Sequence, residues 1–124
     1  MQLGPKQLEI MRVLWQLRRG SAKAITDALN RGSADVAHST VQTQLRLLLK
    51  KNAVAFEKQD RTFVYFPLVE ESDVAQDAAS DLLERVFGGS ATAMVSHLLG
   101  RADVDADELA EIRRLLDEHE NKQG

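Results

Sequence analysis

Ser39, Gln42, Thr43 and Arg46 share one face if the segment AHSTVQTQLRLLLKKN, residues 37 to 52, is helical. Their hydroxyl, amide and guanidinium groups are the types that hydrogen-bond base edges in the major groove of a duplex. With Thr40 beside them, they are the candidates for base contact. His38 at the start of the segment and Lys50 and Lys51 at its end can reach phosphates. Val41, Leu45 and Leu48 fall on the opposite face at helical spacing and are expected to point into a core. One helix could therefore serve a core and a nucleic acid together. The same pattern also fits an ordinary polar surface on a half-buried helix, with His38 a surface histidine, so the rest of the chain has to discriminate.

Enzymatic chemistry has little to stand on. His38, His97 and His119 lie far apart and form no H-E-x-x-H or similar ligand pattern, and there is no G-x-S-x-G, P-loop or dinucleotide fingerprint. Without cysteine there is neither a thiolate metal site nor a disulfide framework. The expectation is a non-enzyme with no cofactor and no metal.

The elements that would carry the candidate helix can be read on either side of it. Pro5 suits a first helical position, and Leu8, Met11, Leu14 and Trp15, with Ile10 beside them, mark a buried stripe that ends at Arg18-Arg19-Gly20. Ser21 is placed to cap a second helix with Ala22, Ile25, Ala28 and Leu29 inward, closed by Asn30-Arg31-Gly32. Residues 33 to 36 read as a loop before the third helix, and Asn52 takes the left-handed position after it. The period then changes to 2 in Val54 to Lys58 and Thr62 to Phe66, a hairpin about Gln59-Asp60-Arg61. Three helices with helix-turn-helix spacing followed by a hairpin describe a winged helix. Lys58 and Arg61 sit at its tip, where they serve a phosphate contact or a solvated turn equally well.

Charge is divided along the chain. Residues 1 to 67 hold 11 Lys+Arg against 5 Asp+Glu, net +6, while residues 68 to 124 hold 5 against 14, net −9. Only the first part suits a polyanion, although the whole chain carries −3. The second part reads as three helices: Val74, Ala78, Leu82 and Val86 after a Ser72 cap and before Gly88-Gly89; Met94, Val95, Leu98 and Leu99 after a Ser90 cap and before Gly100; and Leu109, Ile112, Leu115 and Leu116 after an Asp105/Glu108 capping box. So few residues bury too little apolar surface to stand alone, which implies that these stripes are dimerisation surfaces. The expected fold is mainly α with a small β-hairpin: an N-terminal winged helix-turn-helix domain over 1–68 and a C-terminal three-helix dimerisation domain over 69–124. No apolar run approaches bilayer length and MQLGPKQ lacks the features of a signal peptide, so a soluble, cytoplasmic protein without membrane insertion is expected.

The motifs in order resemble the BlaI/MecI-type penicillinase repressor family. The features that carry the likeness are Leu3, Glu9-Ile10-Met11, Leu14-Trp15, Ser21-Ala22 with Ile25, Ser39-Thr40-Val41-Gln42-Thr43, Tyr65-Phe66-Pro67, Leu68 to Asp73, Gly88-Gly89 and the helix start from Asp105 to Leu109. The resemblance implies a homodimeric transcriptional repressor on inverted-repeat operator DNA. It also implies release through cleavage in the dimerisation domain, set off by a membrane sensor protease. Where the family has a scissile Asn-Phe bond, this chain has His97-Leu98; it also has Leu47 where relatives often place Arg, and Asn52 in place of Gly. Copper-responsive relatives use C-terminal cysteines, which this chain lacks. A winged helix used as a protein-docking or architectural module would have the same fold and is separated only by sequence-specific DNA binding.

Overall fold

Pro5 opens α1, Pro5–Leu17, in the computed structural model, which describes residues 1–32, 35–101 and 103–123. A two-residue strand β1, Gly20–Ser21, leads into α2, Ala22–Arg31, whose Ala24 N–H donates to the Ser21 hydroxyl at 3.1 Å as a cap should. Next come α3, His38–Lys50, and the strands β2, Val54–Gln59, and β3, Thr62–Pro67. Of the expected loop at 33 to 36, Ser33 and Ala34 lie outside the described residues. The remaining helices are α4, Glu71–Phe87, α5, Ala91–Arg101, and α6, Ala106–Gln123. The chain divides into two compact units, Met1–Ser80 and Asp81–Gly124.

In the first unit, Ile10, Met11 and Leu14 of α1, Ile25 of α2, and Val41, Leu45 and Leu48 of α3 close on one core with Val36, Ala53 and Val54. At roughly 1.5–3 kcal/mol for each large side chain withdrawn from water, this cluster is the main force fixing α3 against its neighbours. Leu8, expected inward, is 37% exposed, and the buried place one residue earlier goes to Gln7. Helical spacing alone could not separate the two, because both lie near the edge of the stripe. Trp15 packs against the core from its rim, and its indole N–H donates to the Val69 carbonyl at 2.9 Å.

The sheet order is β1-β3-β2, all antiparallel. The hairpin is as expected, but its turn is one residue shorter, since Gln59 pairs with Thr62 and leaves Asp60-Arg61 as the loop. Asp60 takes φ 56°, and Asn52 takes φ 60° after α3, the left-handed conformation expected there. β1 was not foreseen: two residues are too few to show a period. Arg18, rather than Gly20, has the positive φ (73°) that turns the chain out of α1, and Gly20 is free to pair with Tyr65.

α4 begins at Glu71, with Val74 N–H bonding the Glu70 carbonyl, so Ser72 lies inside the first turn rather than at the cap. Val74 is 6% exposed. In the second unit, Gly88 and Gly89 take positive φ after α4. Ser90 caps α5 through Ala93 N–H at 3.1 Å, and Asp105 caps α6 through Glu108 N–H at 2.8 Å, both as expected. α5 runs on through Gly100 to Arg101 instead of stopping there. On α6 the Arg114 guanidinium, hydrogen-bonded to Glu111, holds that carboxyl below the usual carboxylate range.

Candidate nucleic-acid interface

Because Val41, Leu45 and Leu48 are fully buried, the polar face of α3 is turned to solvent. Ser39, Gln42, Thr43 and Arg46 are all exposed there and Thr40 is half-buried, so the structure brings the expected base-contact residues onto one surface. Thr43 donates its hydroxyl proton to the Ser39 carbonyl at 3.0 Å. Its oxygen is left as an acceptor at the surface, suited to a base amino group, while Gln42 and Arg46 supply donors.

His38 is held from behind. The Thr26 hydroxyl lies 2.7 Å from the Ala22 carbonyl and 3.2 Å from His38 Nδ1, so this ring nitrogen is engaged inside the fold. Only the other ring nitrogen, Nε2, then remains to meet a ligand. Thr26 is 7% exposed and its hydroxyl satisfies both neighbours.

Lys50 projects to solvent at the end of α3 and, among the described residues, neither it nor Arg46 has an ion-pair partner. Lys51 behaves differently. Its ammonium donates to Gln7 Oε1 at 2.7 Å and to the Gln2 carbonyl at 2.9 Å, and Gln7 Oε1 also accepts from Gly4 N–H at 3.1 Å. The expected phosphate contact of Lys51 does not fit this geometry; the side chain ties the N-terminal segment to the end of α3. Sequence could not show this, because Gln7 and Lys51 are distant along the chain.

The turn before α3 has its own clamp. Asn30 at the end of α2 donates through Nδ2 to the Val36 carbonyl at 3.1 Å and accepts the Val36 N–H on Oδ1 at 2.8 Å. Val36 is thereby fixed at the rim of the core just ahead of α3. Asn30 reads in sequence as a helix end, and only the path of the loop reveals the second role.

Lys58 and Arg61 are exposed at the hairpin tip, without ion-pair partners among the described residues. Arg19 is occupied, pairing with Glu57 at 2.6 Å and lying 5.3 Å from the Phe66 ring centroid.

The residues expected to dimerise fall into three groups. Val74 is buried, with 6% of its surface exposed. Met94, Leu109 and Ile112 are half-buried, and Ala78, Leu82, Val86, Val95, Leu98, Leu99 and Leu116 are exposed, Val86 by 66% and Leu116 by 60%. His97, of the expected cleavage bond, lies within α5 with its ring 5.4 Å from that of Phe87. Among the described residues no cluster of metal-ligating side chains occurs, and no helix is long and apolar enough to cross a membrane.

A helix-turn-helix whose second helix shows solvent a polar, cation-bearing face, followed by a short antiparallel hairpin, defines a winged-helix DNA-binding protein. Residues 3–118 match the penicillinase repressor family, and the chain belongs to that family of DNA-binding transcriptional repressors. The penicillinase repressor of Bacillus licheniformis is 31% identical over 121 residues, 98% of this chain and 94% of that one. The methicillin resistance regulatory protein MecI of Staphylococcus aureus is 26% identical over 115 residues, 93% of each. Among solved structures, the monomeric form of Bacillus licheniformis BlaI in complex with the blaP half-operator aligns with a TM-score of 0.50 at 33% identity, over 59% of this chain and 88% of that one.

Proposed function

We propose that two copies of this chain, joined through residues 69–124, repress transcription by occupying an inverted-repeat operator with two winged helices, each formed by residues 1–68. The observation that carries the proposal is the division of α3: Val41, Leu45 and Leu48 at 0% exposure behind, and Ser39, Gln42, Thr43 and Arg46 open in front. Thr40 flanks the base-reading group, and His38, Lys50, Lys58 and Arg61 bind phosphates around it. Two third helices in successive major grooves require half-sites about 34–36 Å apart or a multiple of that spacing. Repression follows from occupancy.

Pairing is supported by what the helices leave open. No described residue of α5 or α6 is buried, although both carry apolar stripes. Contiguous apolar surface of this kind marks an association site, and a second copy supplies a matching one. Joining two modest contacts also raises operator affinity well beyond that of either alone.

Release by a sensor or downstream protease at His97-Leu98 has a structural requirement. The bond lies inside a helix, whereas proteases take their substrates extended, so α5 must unwind locally before it can be cut.

The test is a selection of duplexes from a random-sequence pool, followed by titration of the enriched duplex and of an unrelated one at two salt concentrations. A palindromic sequence should emerge and keep its preference at the higher salt, where binding through phosphates alone fades. Enrichment of no sequence, with uniformly weak binding, would overturn the proposal and leave docking or architectural use.

A further inference from the structure

Four of the chain's six aromatic residues, Phe56, Phe63, Tyr65 and Phe66, lie on the two strands of the hairpin. The register sets Phe56 opposite Tyr65 and Lys58 opposite Phe63. With side chains alternating along each strand, Phe56, Phe63 and Tyr65 share one face, while Phe66 lies on the other under the Arg19 guanidinium. That face begins in the core at Val54, 2% exposed, and runs outward until Phe56 and Phe63 stand 44% and 46% exposed with ring centroids 4.7 Å apart. The carboxylate of the same strand, Glu57, alternates to the other face, where Arg19 neutralises it. The hairpin thus shows solvent an aromatic pair bordered by Lys58, with no strand carboxylate on that side. Folding alone does not require two half-open phenyl rings near the end of a hairpin.

We propose that this face is part of the DNA interface: the Phe56–Phe63 pair packs against deoxyribose and base edges beside the groove that α3 occupies, while Lys58 and Arg61 hold the adjoining phosphates. The inference rests on the operator-binding reading above. Duplex DNA fits this surface because cations border the apolar patch and no strand carboxylate opposes a polyanion. An apolar contact releases no counterions, so its contribution differs in kind from that of a lysine.

That difference supplies the experiment. The full-length protein and its Phe63→Ala, Phe63→Thr and Lys58→Ala variants are titrated against the palindromic duplex enriched by the wild type, across a salt series, with melting temperature and self-association measured in parallel. Phe63→Thr keeps a residue suited to strands should Phe63→Ala fold poorly. Loss of the ring should weaken binding about tenfold at every salt concentration and leave the slope of log affinity against log salt unchanged, whereas Lys58→Ala should reduce that slope by about 1. Undiminished affinity in a folded Phe63 variant overturns the inference while leaving the operator reading intact. Impaired self-association with DNA affinity per dimer preserved overturns it in favour of a protein contact. A wild-type protein that selects no duplex overturns both.

Discussion

Lys51 Nζ lies 2.7 Å from Gln7 Oε1, whereas Lys50, its neighbour in sequence, points into solvent without an ion-pair partner among the described residues. Two adjacent cations with the same apparent promise for phosphate therefore have different work. Lys50→Ala should reduce the salt slope of DNA affinity by about 1 with little change in melting temperature. Lys51→Ala should cost about 1 kcal/mol of stability, because Gln7 and the Gln2 carbonyl lose their donor, and should leave the slope unchanged. Thermal melts paired with salt-dependent titrations check both; a slope change with Lys51→Ala would return that residue to the phosphate contacts.

Gln42 tests base reading separately from attraction to the backbone. An amide that meets a base edge contributes discrimination of about 1–3 kcal/mol, so Gln42→Ala should weaken the selected duplex roughly tenfold or more and barely alter binding to random DNA. Equal losses on both would show that Gln42 reads no base.

Asn30 touches no proposed DNA contact, yet its two bonds to Val36 place the start of α3. Asn30→Ala leaves the polar atoms of a nearly buried residue unpaired, with an expected cost of about 1–3 kcal/mol in denaturant unfolding. Specific binding should fall with it, since the face of α3 is no longer held in register. A folded variant with unchanged specificity would show that the core alone locates the helix.

Val74 and Leu98 belong to the same set of expected dimer contacts, but one is buried and the other is more than half exposed. Val74→Asp should lower stability by about 3 kcal/mol or more, as an unpaired charge introduced into a packed site does. Leu98→Asp should leave the fold of the first unit intact and weaken self-association, seen as a slower-sedimenting species and a matching fall in operator affinity. Dimers unaffected by Leu98→Asp would place the pairing surface elsewhere.

The parts legible in sequence were those set by local rules. The spacing of Val41, Leu45 and Leu48 fixed which face of α3 is buried, and the short-range chemistry of Ser21, Ser90 and Asp105 placed three helix starts. Asn52 signalled its left-handed conformation by its type and position. What escaped depends on residues meeting from distant parts of the chain: β1 on β3, Lys51 on Gln7, and Trp15 on the Val69 carbonyl. Leu8 and Ser72 were misjudged for a smaller reason, a displacement of one residue at an element's edge.

The open stripes of α5 and α6 also bear on how such a regulator is kept in supply. On the dimeric reading, a newly made copy that has not met its twin displays greasy helices of the kind that chaperones and degradative enzymes seek out, while an assembled pair hides them. Scarcity would then be self-enforcing: below the concentration at which copies find each other, the solitary form is cleared, and promoter silence ends without any need for the DNA-reading face to change.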